Sequence, residues 1–438
     1  MRVMKFGGTS VGNAERIRNV AAIVRQNLTA VPIVVVSAVV GVTNELIELA
    51  NQKHTTARVQ KFEAIRAQHE KIVEELGLDP ALLDTIFDEL ESLCKSQKTP
   101  TKKSLDHFVS FGERLCAPMV AGALRGIGIA AEAFPAWDIG MIVDEHFGGA
   151  EPLETTSEHI KQKLEALDLV PVITGYIGKT EKGDIATLGR GGSDYSAAVI
   201  GAAVKADAIQ IWKEVDGIMT TDPRLVPEAR VVPELAFEEA SELAYFGAKV
   251  LHPKTILPAM KAGVPVQVLN TFNPEGKGTT IVASFAERKE KSRTVEALTF
   301  KRGVIAVHID SPEFFDSNGL MARIFELFDK YETSIDVITT SVASVSVTID
   351  NDENLESLVV ELKQLGEVTV ERGKAIVCAV GGSVNAAGVA GRMFTVLGEN
   401  NIRVEMISQA ASGVSMTFVV SEDDAEKAIK VLHNEYIN

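Results

Sequence analysis

The pattern of apolar and polar positions in the first part of the chain predicts an α/β fold. Short, continuous apolar runs occur at residues 3–6, 31–37, 169–174, 208–212 and 266–269. Helix-like segments separate them at residues 14–24, 44–51, 193–205 and 237–246. Because continuous apolar strands are typical of sheets buried on both faces, this alternation predicts a mainly parallel sheet with helices on both sides, a three-layer αβα arrangement.

A long polar segment interrupts this alternation. Residues 52–103 are charged and helix-prone and carry no strand pattern. They predict a helical hairpin that packs on the main domain. Residues 273–279, rich in Gly and Pro, close the first domain, and the charged residues 287–291 read as a linker.

After the linker the order of predicted elements changes and then repeats. The first set has strands at 304–309, 334–338 and 344–349 and helices at 319–331 and 355–365. The second set has strands at 375–380, 404–407 and 415–420 and helices at 388–400 and 424–434. This is the pattern of a duplicated ferredoxin-like βαββαβ unit. The predicted domains are therefore 1–285, 296–372 and 373–438, and the last two could be nested by exchange of a strand.

Composition and charge restrict the function classes. The 438 residues carry a formal net charge of -16, which argues against nucleic acid or an anionic membrane as a main partner. The three cysteines are far apart and form no CxxC, which argues against a disulfide scaffold or a zinc ribbon. No signal peptide and no apolar stretch long enough to span a bilayer are evident, so a cytoplasmic protein is expected, with no second enzyme fused to it.

Phosphate chemistry is indicated at the end of the first apolar run, where residues 5–10 read KFGGTS. Gly7 and Gly8 would let backbone N–H groups approach phosphate oxygens. Lys5 would neutralise a phosphoryl group during transfer. The segment is not a Walker A loop, because no GxxxxGK[ST] occurs in the chain.

Carboxylate and ammonium recognition is indicated by two further segments. Residues 188–194 read LGRGGSD immediately before a helix. Arg190 could grip a carboxylate with two hydrogen bonds, Ser193 could cap the helix, and Asp194 could orient Lys5 or a metal. Glu113, beside a glycine at the start of a predicted apolar helix, could accept a substrate ammonium group.

Nucleotide binding is indicated by residues 212–224, which read WKEVDGIMTTDPR and follow a buried strand. Polar loops at the carboxyl ends of strands bind nucleotides in open α/β sheets. Lys213 and Arg224 supply positive charge there, and Lys249, within FGAKVLHP, could reach a β-phosphate. No histidine-based metal site is evident, so the expected metal is Mg²⁺ that the nucleotide carries, bound through few protein ligands.

Taken together and in this order, these segments resemble the aspartate kinases, members of the amino-acid kinase family with two C-terminal ACT domains. The resemblance covers essentially the whole chain. It implies an amino-acid kinase fold followed by two ACT units, and ATP-dependent phosphorylation of the aspartate β-carboxylate, the first step of lysine, threonine and methionine biosynthesis. Since a carboxylate is already ionised at neutral pH, such a kinase needs no general base.

The resemblance also implies a role for each matching residue. Lys5 would stabilise the transferring phosphoryl group and Asp194 would organise it, while Arg190 and Glu113 would hold the α-carboxylate and α-ammonium of aspartate. The rest of the aspartate pocket would be lined by Ser37, Thr43, Tyr176 and Ser193. The ATP site would be formed by Gly7, Gly8, Lys213, Glu214, Met219, Arg224 and Lys249. Lys213 and Glu214 stand where many family members have Thr and Asp.

Regulation by an amino acid is implied for the first ACT unit. The effector site would comprise Ser317, Gly319, Leu320 and Met321, with Asp336 and Ser341 on the facing strand. Residues 338–341, ITTS, are more similar to lysine-sensitive members than to threonine-sensitive ones, so lysine is the expected effector. The expected assembly is a homodimer through the ACT units, or a tetramer.

Other functions remain as alternatives. One is a kinase of glutamate or acetylglutamate, and another is a catalytically silent amino-acid sensor on a kinase scaffold. The presence of Lys5, Asp194, Arg190 and Glu113 together argues against the sensor. A dinucleotide-dependent dehydrogenase is excluded because no GxGxxG follows the first strand.

Overall fold

The structure, a computed structural model, describes residues 1–52, 55–96, 100–248, 250–289, 293–311 and 319–437. The chain divides into two compact units. Unit 1 comprises Met1–Ile218, Pro233–Phe237 and Val250–Glu287, and unit 2 comprises Met219–Val232, Glu238–Lys249 and Arg288–Asn438. The domain boundaries given above stay predictions.

The helices and strands up to residue 282 include the predicted ones and further short strands and helices that the apolar pattern did not predict. The helices are α1 (Ala14–Gln26), α2 (Val42–Asn51), α3 (Thr55–Leu76), α4 (Asp84–Ser96), α5 (Lys102–Gly126), α6 (Thr156–Glu165), α7 (Gly192–Ala203), α8 (Phe237–Tyr245) and α9 (Pro253–Lys261). The strands are β1 (Arg2–Phe6), β2 (Pro32–Val36), β3 (Ala131–Phe134), β4 (Ile142–Val143), β5 (Val170–Thr174), β6 (Ile177–Thr180), β7 (Ile185–Thr187), β8 (Ala208–Lys213), β9 (Glu234–Ala236), β10 (Val266–Asn270) and β11 (Thr279–Val282).

The main sheet of unit 1 has eight strands in the order β3-β5-β2-β1-β8-β10-β11-β9. Every neighbouring pair is parallel except β10 with β11. The prediction of a mainly parallel sheet is therefore confirmed. Strand β1 lies between β2 and β8, and Lys5 is paired with Val35 on one side and Ile211 on the other. A shorter sheet has the order β4-β6-β7.

Both faces of the main sheet are covered, because successive side chains of a strand point to opposite sides. Met4 and Phe6 lie in a fully buried cluster together with Ile17 of α1 and Leu115 of α5. Val3 faces the other side, where α7 packs so closely that a methyl group on Gly201 would lie 3.6 Å from Val3 Cγ2. Lys5 shares this second face with Val3.

The predicted helical hairpin is present as α3 and α4, which join the same apolar cluster as α5. Phe62 of α3 and Phe87 of α4 meet edge to face, with ring centroids 6.2 Å apart. The hairpin is therefore an extension of the α5 side of the core.

Unit 2 contains a six-stranded sheet in the order β13-β14-β12-β15-β17-β16. Its strands are β12 (Ala297–Asp310), β13 (Ile338–Thr340), β14 (Ser344–Ile349), β15 (Glu367–Val380), β16 (Met406–Gln409) and β17 (Ser415–Ser421). Its helices are α10 (Leu320–Lys330), α11 (Leu355–Leu362), α12 (Val389–Glu399) and α13 (Glu422–Tyr436). This is the element order predicted for the two ferredoxin-like units.

Strands β12 and β15 are each 14 residues long, about twice the predicted length. The first half of β12 pairs with the second half of β15, from Ala297 opposite Val380 to Lys301 opposite Ile376. After a register shift, the second half of β12 pairs with the first half of β15, ending with Asp310 opposite Glu367. Each long strand thus contributes to two separate apolar clusters, one packed by α12 and α13 and the other by α10 and α11.

The strand predicted at 334–338 is wrong in its position, since β13 begins at Ile338. Asp336 and Ser341 therefore flank this strand and do not lie on it. The N–H groups of Asp336 and Val337 donate to the carbonyl and the hydroxyl of Thr348, so a side chain replaces part of the strand ladder. Within the described ranges, no helix has the length and apolar character needed to cross a bilayer.

Candidate active site

Three loops and one helix end meet at the carboxyl edge of the parallel sheet, after β1, β2 and β5 and before α7. A methyl group on Gly8 would lie 2.7 Å from the carbonyl oxygen of Ala38. One on Gly175 would lie 2.8 Å from Ser193 Cβ and 3.0 Å from the carbonyl oxygen of Val36. These glycines are required because the loops pack backbone against backbone, which brings their polar side chains into one site.

An ion cluster of two lysines and one aspartate lies at the centre of this site. Asp194, in the first turn of α7, lies 2.6 Å from Lys5 Nζ through Oδ1 and 3.1 Å from Lys213 Nζ through Oδ2. Burial would raise the pKa of the Asp194 carboxyl, but the two ammonium groups hold it below its usual value. Two cations on one carboxylate leave an excess positive charge, which suits a phosphoryl group in transfer.

Gly7 lies beside this cluster, and its surroundings would accept a methyl group at ordinary contact distances. A methyl group there would lie 3.8 Å from Lys5 Nζ and 3.6 Å from the Trp212 carbonyl oxygen. Since Phe6 pairs with Trp212, the next residues along the two strands, Gly7 and Lys213, lie side by side. Lys213 is held in place by a 2.5 Å hydrogen bond from its Nζ to the carbonyl oxygen of Val250.

Glu113 is buried in the middle of α5, beside the loop that follows β2, so its predicted position at a helix start is wrong. Its Oε1 accepts a 3.0 Å hydrogen bond from the Ala38 N–H, whereas its buried Oε2 has no hydrogen-bond partner in the described part of the chain. Burial raises the pKa of the Glu113 carboxyl to about 8, against the opposing effect of the Ala38 N–H and the Lys5 ammonium. A buried oxygen without a partner is costly, so Glu113 is suited to accept a ligand's ammonium group.

The other residues predicted for the aspartate pocket are distributed around this core. Ser37 donates to Ser193 over 2.9 Å, which joins the end of β2 to the start of α7. Tyr176 has a left-handed backbone, with φ of 71°, and its N–H donates to Ser196 Oγ. Thr43 lies half-buried in the first turn of α2. Arg190 is exposed just before α7, and no bond to its guanidinium is found among the described residues.

The residues predicted for ATP are divided between the two units. Lys213 and the exposed Glu214 belong to unit 1, whereas Met219 and Arg224 belong to unit 2. Arg224 is 87% exposed, and its guanidinium contacts the carboxylate of Asp222 at 2.6 Å. Lys249 lies outside the described residues. The structure brings Lys213 and Lys5 to the same carboxylate, that of Asp194, and the joint ATP role of the set stays a prediction.

The sequence analysis missed three polar side chains that form hydrogen bonds to the loops around the site: Asp106, Thr187 and Ser196. Ser196 accepts the N–H of Tyr176, and Asp106 accepts bonds from Thr187. The available signal for Asp106 was its spacing, since it precedes Glu113 by two helical turns.

The residues predicted for the effector are placed as follows. Gly319, with φ of 110°, immediately precedes α10, Leu320 is buried and Met321 half-buried, whereas Ser317 lies outside the described residues. The Asp336 carboxylate accepts from Lys301 Nζ at 2.8 and 2.9 Å and from the Tyr245 hydroxyl at 2.8 Å. Ser341 forms a 2.7 Å hydrogen bond with Ser344 in the turn before β14.

Comparison with known proteins gives matches along the whole chain. The profile of the Amino acid kinase family matches residues 1–270, and that of the ACT domain matches residues 377–436. Aspartokinase 1, chloroplastic, of Arabidopsis thaliana is 36% identical over 457 residues, covering 99% of this chain and 80% of the relative. The chain belongs to the aspartokinase family.

Bacterial aspartokinases match over their full length as well. The lysine-sensitive aspartokinase 3 of Escherichia coli strain K12 is 36% identical over 453 residues, covering 99% of this chain and 98% of the relative. The crystal structure of E. coli aspartokinase III in complex with aspartate and ADP, an R-state structure, superimposes with a TM-score of 0.84 and 33% identity, with 100% of both chains covered. Lys5, Asp194 and Glu113 therefore lie in an aspartokinase fold.

Proposed function

We propose that this aspartokinase transfers the γ-phosphoryl group of ATP to the β-carboxylate of aspartate, forming 4-phospho-L-aspartate for lysine, threonine and methionine biosynthesis. The observation that carries the proposal is the buried ion cluster of Lys5, Asp194 and Lys213 close to the unpaired Glu113 oxygen. The first feature suits a phosphoryl group and the second suits an ammonium group. The E. coli relative crystallised with aspartate and ADP supports this pairing of ligands.

The reaction is an in-line displacement. A β-carboxylate oxygen forms a bond to the γ-phosphorus while the bond from phosphorus to the β–γ bridging oxygen breaks, and ADP leaves with that electron pair. Lys5 neutralises the charge on the transferring group, and Asp194 holds the Lys5 ammonium in position. Since the attacking carboxylate is already ionised, catalysis consists of positioning and charge neutralisation.

Mg²⁺ is proposed to arrive with the nucleotide. Across the described ranges, no group of three or more His, Cys, Asp or Glu side chains is arranged to hold a metal ion. The proposed ion would take most of its ligands from phosphate and water, and it would reduce the negative charge of the phosphates.

The acceptor is recognised through both of its α groups. Glu113 takes the α-ammonium through the free Oε2, and Arg190 takes the α-carboxylate, with Ser37, Thr43, Tyr176 and Ser193 around them. Acetylglutamate carries no free ammonium group, so it would leave the buried Glu113 oxygen without a partner. This favours aspartate over acylated acceptors.

Regulation is proposed to act through the ACT units. The E. coli relative is named lysine-sensitive, and lysine is the proposed effector here, at Ser317, Gly319, Leu320, Met321, Asp336 and Ser341. Effector binding would favour one of two global states of the enzyme. A homodimer through the ACT units, a tetramer and a cytoplasmic location stay predictions.

The test is ATP-dependent acyl phosphate formation, trapped as hydroxamate, with aspartate, glutamate and acetylglutamate in parallel. We expect turnover on aspartate alone and a loss of about 100-fold or more in kcat for Lys5→Ala, as for removal of other charge-stabilising groups. Lys103→Ala is the matched control, because Lys103 is an exposed lysine that pairs with Asp184. Amino-acid binding without turnover on any acceptor would instead support the sensor.

A further inference from the structure

Asp106 is a second buried acid on the helix that carries Glu113. Both lie in α5 and both are nearly inaccessible, at 3% and 2% exposure. Seven residues separate them, so they share one face of the helix at a spacing of about 10 Å. The proposed reaction uses Glu113 but gives Asp106 no part.

The Asp106 carboxylate accepts three hydrogen bonds from two loops. Its Oδ2 accepts from the N–H of Gly148 at 2.8 Å and from the N–H of Thr187 at 2.9 Å. Its Oδ1 accepts from the Thr187 hydroxyl at 2.9 Å. No lysine or arginine of the described chain forms an ion pair with it, and burial raises the pKa of its carboxyl, against the effect of these bonds. A buried carboxylate without a cation is a costly structural device, which points to a role in function.

Thr187 is the last residue of β7, three positions before Arg190. The following residues are fixed in turn, since the Leu188 N–H donates to the Tyr176 carbonyl and the Gly192 N–H to the Gly189 carbonyl. A methyl group on Gly189 would lie 3.2 Å from the Gly148 carbonyl oxygen, so the two loops held by Asp106 also pack directly. Asp106 thus fixes the start of the loop that carries Arg190.

The same network includes the Tyr176 side chain. Burial raises the pKa of the Tyr176 phenol, a hydrogen bond with the Thr187 side chain opposes the rise, and the carboxylates of Glu113 and Asp106 add to it. A methyl group on Gly192 would lie 2.5 Å from Tyr176 Cδ2, so the ring also contacts the first turn of α7.

We propose that Asp106 is a positioning residue for the acceptor amino acid, which acts through Thr187 to set the Arg190 loop and the Tyr176 ring relative to Glu113. The inference rests on the proposed function, because it assigns the acceptor side of that site. One rigid helix then fixes the distance between the group that takes the ammonium and the loop that takes the carboxylate. Asp106 should govern affinity for aspartate and leave phosphoryl transfer unchanged.

The experiment compares Asp106→Asn, Thr187→Val and the double variant with the wild type in steady-state kinetics. We expect the KM for aspartate to rise about ten-fold in each single variant, with kcat and the KM for ATP within about two-fold. The double variant should be no worse than the worse single variant, because both remove one network. Asp79→Asn is the control, since Asp79 accepts the N–H of Ala81 within its own loop and none from the 144–151 or 187–192 loops.

Amide hydrogen exchange separates this inference from the proposed function. In Asp106→Asn, we expect faster exchange in residues 187–192 and unchanged exchange in β1 and β2. Absence of wild-type turnover on aspartate would refute the proposed function, and the exchange result would still decide whether Asp106 fixes the loop. An unchanged KM for aspartate in folded Thr187→Val would overturn the positioning role. A fall in kcat together with a rise in the KM values of both aspartate and ATP would also overturn it.

Discussion

At the scale of single residues, the site contains two buried acids whose surroundings move their pKa values in opposite directions. Glu113 has one N–H donor and no ammonium in contact, and its pKa is raised to about 8. Asp194 is equally buried but contacts two ammonium groups, and its pKa is lowered. The presence of a contacting cation decides the direction, so binding of a substrate ammonium should move Glu113 towards the behaviour of Asp194.

The first residue-scale prediction is that aspartate binding at neutral pH releases close to one proton. Glu113 is protonated in the empty site below pH of about 8, and an ammonium beside Oε2 favours the ionised form. Calorimetry in buffers of different ionisation enthalpy measures the release, which should be absent in Glu113→Gln. We expect the affinity for aspartate to increase as pH rises towards 8.

The same shift affects stability in the ligand-free state. Since the folded pKa of Glu113 lies above the unfolded value, the folded state binds more protons over the range between them. This contribution to the free energy of unfolding is present below the unfolded pKa of 4.5 and is lost as pH rises to about 8. In the calorimetry, equal proton release on aspartate binding to wild type and to Glu113→Gln would contradict the assignment of Glu113 as the group that takes the ammonium.

Only part of the site could be predicted from sequence at this scale. Asp194, Glu113 and Ser193 were identified because each lies beside a glycine or a helix start, and Lys5 because it lies at a strand end ahead of two glycines. The contact of Lys213 with Asp194 was not, since it depends on β8 lying next to β1 in the sheet order. Asp106 was missed because its partners come from residues 148 and 187, far away in the chain.

At the scale of elements, α5 is positioned by close packing against the loop after β2. A methyl group on Gly112 would lie 2.6 Å from Ala38 Cβ, and neither group can move aside by a rotamer change. Ala38 also supplies the N–H that Glu113 accepts. Gly126, at the other end of the same helix, has open space around it.

The element-scale prediction compares alanine at these two glycines. Gly112→Ala should lower the free energy of unfolding by about 1–3 kcal/mol, because it overpacks the contact, and should raise the KM for aspartate by moving Ala38. Gly126→Ala should be neutral or stabilising by up to about 1 kcal/mol. Chemical denaturation measures both, and a Gly112→Ala enzyme with wild-type stability would contradict the packing account.

The sequence predicted helices and strands correctly where a local apolar pattern marks them. It failed where strand pairing determines the length of a strand. The strands β1, β2, β5, β8 and β10 were found because each is a continuous apolar run buried on both faces. The first half of β15, residues 367–374, alternates between exposed and half-buried positions and includes Arg372 and Gly373. Val368 and Val370 carry a local strand alternation that the sequence analysis missed, whereas residues 371–374 have none and form a strand through their pairing with β12.

At the scale of the whole molecule, one acidic side chain of unit 2, that of Asp336, forms an ion pair with Lys301. The Asp336 side chain is 2% exposed, and its carboxylate contacts the ammonium of Lys301 and the hydroxyl of Tyr245. Lys301 also contacts Asp350, which is 45% exposed. Asp336, a residue of the proposed effector site, therefore already stabilises an ammonium group.

The whole-molecule prediction concerns inhibition by lysine. Asp336→Asn should raise the lysine concentration for half-inhibition by about ten-fold or more, because a charge-assisted hydrogen bond contributes about 1.5–3 kcal/mol. The uninhibited kcat should stay within about two-fold, since the substitution is in unit 2 and the ion cluster of Lys5 is in unit 1.

Asp350→Asn, which removes the more exposed partner of Lys301, is the matched control and should change the lysine response little. Equal effects of both substitutions would mean that Lys301, and not a direct contact between Asp336 and the effector, controls the response. A wild-type enzyme insensitive to lysine would refute the effector itself.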